Sequence, residues 1–188
     1  MSGHESHSRF ALAALLARRS AKRGRFVLSS GRESELYIDA RLTTMSPEGL
    51  HLIGSAALDA LDQRGWKPDS VGGLTLGADP VSYCIAYASA STDRPIRAFT
   101  VRKEPKTHGT QNLIEGPFQS GDQVVVIEDV VTSGGSALRA VTAIRQAAGS
   151  ILGALAIVDR EEDGRTALEA QGIELITLVS LSDILAHI

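Results

Sequence analysis

Cysteine is nearly missing from this chain: Cys84 stands alone among 188 residues. One cysteine cannot close an internal disulfide or furnish a cysteine-rich zinc site. It lies in an apolar stretch, residues 81–87, that reads as helix, where a buried inert thiol is expected rather than a nucleophile. A strong charge of either sign is also lacking. The chain carries 19 basic and 22 acidic side chains, for a net charge of −3. General binding to nucleic acid or to a membrane surface calls for a basic excess and is disfavoured. No run of about 20 apolar residues is present, the length a membrane-spanning helix requires. The N-terminus is polar, and the short apolar run after Arg9 ends at Arg18 and Arg19, so a secretory signal is not expected. Internal repeats and low-complexity linkers are lacking too. These absences lead to the expectation of a cytoplasmic protein with a single domain over residues 1–188. Residues 1–7 are expected to lie outside the folded part, with His4 and His7 in a mobile tail rather than a metal site.

The most informative stretch present is Val124-Val125-Val126-Ile127-Glu128-Asp129-Val130-Val131-Thr132-Ser133-Gly134-Gly135-Ser136. A short β-branched run bounded by turn residues reads as a buried parallel strand. The hydroxyl- and glycine-rich turn then enters a helix, with Ser136 as the expected N-cap. Two carboxylates thus stand at the carboxyl end of a strand, beside a row of backbone N–H donors at a helix N-terminus. The donors and the helix dipole favour a phosphate, while the acids favour hydroxyls or a hydrated cation. A ligand bearing both a phosphate and a sugar diol suits the pairing. A plain strand-turn-helix connection with solvated acids is the bland alternative. The Gly-x-x-x-x-Gly-Lys-Ser/Thr loop is excluded, since no Lys follows Gly134-Gly135, and so is the Gly-x-Gly-x-x-Gly fingerprint.

Elsewhere the pattern predicts a helix over residues 8–22 and a small hairpin from strands 25–28 and 36–39 around Ser29-Ser30-Gly31-Arg32. A second helix is predicted over 47–64, with Pro47 in its first turn. Strand and helix then alternate: strand 71–75, helix 79–90, strand 96–101, a long polar segment, the strand at Val124, helix 137–148, strand 151–158, helix 166–171 and strand 173–179. Such alternation implies an α/β fold, a central mostly parallel sheet flanked by helices. Ligands of such folds sit beyond the carboxyl ends of the strands. The groups predicted there are Leu76-Gly77-Ala78-Asp79-Pro80, Arg102-Lys103, the acidic turn, and Asp159-Arg160.

The polar segment Arg102-Lys103-Glu104-Pro105-Lys106-Thr107-His108-Gly109-Thr110-Gln111-Asn112 gathers three fixed cations and a histidine without an apolar pattern. A solvated charged loop would look similar. A connection this long between strands is more often functional, and a cationic lid suits a ligand of several negative charges. Lys106 and His108 are the candidates to meet a departing anion, and His108 can donate a proton near neutral pH.

With the acidic turn and the Arg-Lys-x-x-Lys-x-His-Gly loop together, the chain resembles the type I phosphoribosyltransferases, and within them the orotate phosphoribosyltransferases. The resemblance runs from about Phe26 to Leu185. Phe26-Val27-Leu28-Ser29-Ser30-Gly31-Arg32 and Val158-Asp159-Arg160 add to it. It implies transfer of ribose 5-phosphate from 5-phosphoribosyl 1-diphosphate to orotate with Mg²⁺, giving orotidine 5′-monophosphate and diphosphate in pyrimidine biosynthesis. By the same resemblance Glu128 and Asp129 would hold the ribose hydroxyls, and the turn from Val130, Val131 and Thr132 through Ser133, Gly134, Gly135 and Ser136 the 5′-phosphate. Thr132 and Arg160 would face orotate, Lys103 would meet phosphate oxygens, and Arg102, Lys106 and His108 would close over the diphosphate. The Mg²⁺ would be held mainly through substrate rather than by protein ligands. A homodimer with sites shared between subunits is implied as well.

Ser29 departs from this pattern, standing where many relatives carry lysine, and Leu76 stands near the Gly77 turn where some relatives carry another. Tyr37 is the aromatic that would pack on the orotate ring. Two alternatives remain at this level. One is a transferase for adenine, xanthine or uracil, against which the His108 loop and Arg160 count. The other is a non-catalytic sensor of phosphoribosyl diphosphate, but the residues before Phe26 are too few for a helix-turn-helix module.

Overall fold

The computed structural model describes residues 2–27, 33–104 and 112–188. The chain runs α1 (Ser2–Arg19), β1 (Ala21–Val27), β2 (Glu33–Ile38), α2 (Arg41–Thr44), α3 (Pro47–Arg64), β3 (Ser70–Leu74), α4 (Ala78–Ser89) and β4 (Arg97–Val101). It continues through β5 (Ile114–Glu115), β6 (Gln123–Val131), α5 (Gly135–Gln146), β7 (Ser150–Asp159), α6 (Gly164–Glu169), β8 (Leu175–Ser180) and α7 (Leu181–Leu185).

A six-stranded sheet in the order β5-β4-β3-β6-β7-β8 forms the centre. All its pairings are parallel except β4 with β5, where Val101 faces Ile114. The aliphatic run of β6 is buried on both faces, as a central parallel strand must be. Val125 and Ile127 pack with Leu12, Leu16, Ile53, Leu61 and Ile85, from α1, α3 and α4. Val124 and Val126, on the opposite face, pack with Ala140, Val141, Ile144 and Leu168 from α5 and α6. Each such side chain contributes about 1.5–3 kcal/mol on burial, so β6 is firmly held and fixes whatever stands at its tip. A separate two-stranded sheet pairs β1 with β2, Val27 facing Glu33 and Ala21 facing Ile38.

The strand order reverses between β3 and β6. From β3 the chain winds outward through α4 to β4, and from β6 it winds the other way through α5 to β7 and β8. This is the switch point where open α/β sheets leave a crevice beyond their strand tips.

Several boundaries differ from the sequence reading. The first helix starts at Ser2 and stops at Arg19, so residues 2–7, expected outside the fold, continue the helix backbone, and β1 takes over at Ala21. No proline interrupts that segment. The predicted N-cap of α5 was Ser136, but the cap position is Gly134, in the left-handed region at φ 78° and without a side-chain cap. A Cβ there would be strained and would lie 3.1 Å from the Gly164 carbonyl oxygen. The turn is therefore tighter than a serine cap allows, and Ser136 falls in the helix's first turn. The short elements α2, β5 and α7 were not foreseen.

Candidate active site

The switch point opens into a cleft of about 470 Å³. Its floor is the tip of β6, where Glu128, Asp129, Val130, Thr132 and Ser136 line it. One wall is Leu74, Thr75, Leu76 and Gly77 at the end of β3, and the cleft also takes in Lys103, after β4, and Arg160, after β7, the strands on either side of β3 and β6. Tyr37, Ile38, Asp39, Ala40 and Arg41 cover it from the end of β2 and the start of α2.

The acidic pair is not symmetric. Glu128 is buried, and its Oε2 has no hydrogen-bond partner among the described residues. Burial first, and then the neighbouring Asp129 charge, push its carboxyl well above the usual carboxylate range. Burial raises Asp129 as well, against the opposing effect of the Val130 N–H, which donates to Asp129 Oδ1 at 2.9 Å. An orphaned buried carboxylate oxygen beside a polar cleft is a receptor for hydroxyls or for ordered water on a hard cation.

Gly77 shows why the wall is made as it is. A Cβ at that position would collide with Asp129 Oδ1 and lie 2.5 Å from its Cγ. The Thr75–Leu76 peptide just before it is cis. Glycine allows the wall's backbone to lie directly against the Asp129 carboxylate.

On the covering side, Arg41 donates from Nε and Nη2 to both oxygens of Asp39, at 2.8 and 3.0 Å. That pairing lowers the Asp39 carboxyl and raises the Arg41 guanidinium. The bidentate geometry fixes the guanidinium plane at the rim of the cleft. Phe26 and Tyr37 stack at 5.3 Å between ring centroids, which steadies the Tyr37 ring at the same rim.

Half of the predicted site residues line this cleft: Lys103, Glu128, Asp129, Val130, Thr132, Ser136 and Arg160. Val131 lines no part of the cleft: its side chain is in the core, and its carbonyl accepts from the Arg160 N–H at 3.0 Å. Arg160 is buried, and its Nε donates to Glu162 at 3.0 Å. Ser133, Gly134 and Gly135 form the turn into α5 without lining the cleft wall. Arg102 is turned instead toward β5, with Nη1 3.8 Å from Glu115. Lys106, His108 and Ser29 lie outside the described residues. The two ends of the basic loop are nonetheless brought together, because the Arg102 N–H donates to the Leu113 carbonyl at 2.8 Å.

Asp39, Arg41 and Thr75 were missed in the sequence. Arg41 stands in a four-residue helix with no periodicity to mark it. Thr75 carries no charge, so only its place after a buried strand marks it. Cys84 matches its expectation: it is buried, its Sγ donates to the Leu50 carbonyl at 2.7 Å, and burial pushes its thiol up to about 11.

A phosphate-type turn, an acidic pair and cations gathered at the switch point of a parallel sheet define an α/β enzyme acting on a phosphorylated sugar or nucleotide. Comparison with known proteins narrows the class. No protein-family model matches the chain. The orotate phosphoribosyltransferase of Aquifex aeolicus is 48% identical over 177 residues, covering 93% of this chain and 96% of the relative. That of Rhodopirellula baltica is 42% identical, over 92% and 91%. A crystal structure of the Mycobacterium tuberculosis enzyme in complex with 5-phospho-α-D-ribosyl 1-diphosphate is 34% identical and superposes with a TM-score of 0.77, covering 95% of this chain and 92% of that one. The chain belongs to the orotate phosphoribosyltransferase family.

Proposed function

We infer that the cleft transfers the 5-phosphoribosyl group from 5-phosphoribosyl 1-diphosphate to orotate, yielding orotidine 5′-monophosphate and diphosphate in pyrimidine biosynthesis. The observation that carries this reading is the joint presence, in one cleft, of the buried acidic pair and of Thr132 and Ser136, which flank the glycine-rich turn at the N-terminus of α5. Glu128 and Asp129 receive the ribose hydroxyls. The N–H groups and hydroxyls of the turn from Thr132 to Ser136 receive the 5′-phosphate, favoured by the positive end of the helix dipole. The reactive carbon then lies over the 75–77 wall.

Cleavage of the anomeric C–O bond leaves positive charge on the ribose ring and negative charge on the departing diphosphate. Asp129 stands where the former develops. Lys103, Lys106 and His108 meet the latter, with Arg102 leaving Glu115 to join them as the loop closes over the ligand and excludes water. Orotate attacks through its ring nitrogen as an anion, so the site needs no strong base. Thr132 and Arg160 hold its polar edge and Tyr37 its face. The acidic pair and the orphaned Glu128 oxygen fit a hydrated Mg²⁺ held mainly through ribose and diphosphate oxygens. Bound there, the ion supplies charge neutralisation for the leaving group.

The working unit in this reading is a homodimer whose basic loops complete each other's sites. Leu42 and Met45 at α2, Leu76 in the β3 turn, and Tyr83 and Tyr87 on α4 are exposed, apolar surface that a partner subunit would cover. A buried, unpaired Cys84 is in keeping with a cytoplasmic location. Among the described residues no helix is long and apolar enough to cross a membrane.

The direct test is an assay of purified protein with orotate, phosphoribosyl diphosphate and Mg²⁺. Orotate consumption that requires both the diphosphate donor and the ion is expected. Turnover of adenine or uracil with none of orotate would overturn the assignment.

A further inference from the structure

The wall of the cleft is held from behind by a carboxylate that does not itself line the cleft. Asp79 lies in the first turn of α4 and is buried. It does not cap that helix, whose N-cap position, Gly77, has no side-chain bond. Among the described residues it forms no ion pair. Its oxygens are met by two hydroxyls instead: Thr75 Oγ1 donates to Oδ2 at 2.6 Å, and Thr100 Oγ1 donates to Oδ1 at 2.8 Å. The Tyr83 hydroxyl lies 2.9 Å from Thr100 Oγ1 and extends the network along α4. Thr75 follows the last residue of β3, and Thr100 is in β4, so one carboxylate ties two neighbouring strands to the start of α4. A carboxylate taken from water needs such charge-assisted bonds, which are short and about twice as strong as neutral ones.

What this carboxylate holds is the 75–77 turn, and the front of that turn is the cleft wall against Asp129. We propose that Asp79 is a positioning residue for the transfer reaction: through Thr75 and Thr100 it sets the depth of the 75–77 backbone, and thereby the place of Asp129 and of the donor's leaving group. The inference rests on the transferase reading. A purely structural staple would affect stability and would weaken both substrates alike. A positioning role loads the cost onto the phosphoribosyl donor, because the wall adjoins Asp129 and not the orotate side at Arg160.

Steady-state kinetics with both substrates varied, on Asp79→Ala, Asp79→Asn and Thr100→Val, tests the proposal. Asp79→Ala is expected to lower kcat/KM for phosphoribosyl diphosphate by about 100-fold, the cost of misplacing reacting groups by an ångström. Thr100→Val, which removes one hydroxyl behind the wall, is expected to lower it by about tenfold, the KM for orotate staying within about twofold in both variants. Asp79→Asn keeps an acceptor and the shape, so it should recover most of the loss. Amide exchange at residues 75–78 provides a readout independent of turnover. It is expected to quicken about tenfold in Asp79→Ala and Thr100→Val but not in Asp79→Asn. Unchanged kinetics and exchange in the first two variants would overturn the proposal. So would equal losses for both substrates in step with a lowered Tm. An inactive wild type would instead defeat the transferase reading, and the exchange data would still judge the anchor.

Discussion

Burial divides the labour between Glu128 and Asp129. Glu128 lies deeper, with one oxygen unpartnered among the described residues, and both carboxyls are raised chiefly by desolvation. A carboxyl whose folded pKa exceeds its unfolded value favours the folded state at acid pH. That contribution is lost as pH rises through the folded pKa, because the unfolded chain ionises more easily. Wild-type protein should therefore lose some stability as pH climbs out of the carboxylate range, whereas Glu128→Gln, which cannot ionise, should lose less. Melting curves at about pH 8 are expected to place Glu128→Gln above wild type and at about pH 4 to bring the two together, the gap read at about 2–4 °C per kcal/mol. Equal Tm values at the higher pH would remove the buried-acid account. Turnover should move the other way, falling about 100-fold, since the amide puts an N–H donor where a carboxylate oxygen receives a ribose hydroxyl. A stabilising substitution that silences the reaction would be the signature of an acid kept buried for chemistry.

At the level of elements, the turn after β3 shows how tightly backbone and carboxylate are fitted. Gly77→Ala is expected to keep the fold, because the glycine's own angles are helical (φ −61°, ψ −43°) and open to alanine. Its methyl group must nevertheless displace either the turn or Asp129. Kinetics should show kcat/KM for phosphoribosyl diphosphate reduced by about 100-fold, with Tm within a few degrees of wild type. Wild-type kinetics in that variant would mean that the contact between the turn and Asp129 is not needed. The elements themselves were unevenly legible in the sequence. The helix Pro47–Arg64 was legible with its true ends from the proline in its first turn and the apolar face of Leu50, Ile53, Ala57 and Leu61; in the structure Ser46 accepts from the Gly49 N–H and Gly65 closes the helix in the left-handed region. The acidic strand was legible because four β-branched or aliphatic residues precede its carboxylates. The helix α7 carried a signal that was overlooked: Ser180 and Asp183 form a capping box. The strand β5 carried none, since two residues hold no pattern and its pairing with β4 is a tertiary fact. Arg41 was invisible for the same reason, as it reaches the cleft only because the hairpin delivers α2 to its rim.

At the scale of the whole molecule, the account predicts sites assembled from two chains. Lys106→Ala and Asp129→Asn should each abolish most activity alone. If the basic loop serves the partner's cleft, each mixed dimer of the two variants retains one site with both wild-type groups. Random mixing then restores about a quarter of wild-type activity, an outcome available only to a symmetric dimer with shared sites. No recovery on mixing would place the loop over its own chain's cleft. The fold supports either arrangement mechanically, because residues 102 and 113 are clamped together at the base of the loop on the rigid sheet edge. The central claim is narrower than this: the tip of β6 holds a sugar by its acids and a phosphate by the turn that follows. A crystal soaked with orotidine 5′-monophosphate tests it most directly. The ribose hydroxyls should lie within about 2.6–3.2 Å of Asp129 or Glu128 oxygens, with the phosphate at hydrogen-bond distance from the N–H groups of residues 132–136. A nucleotide bound with its ribose away from Asp129, or its phosphate elsewhere than this turn, would contradict the account.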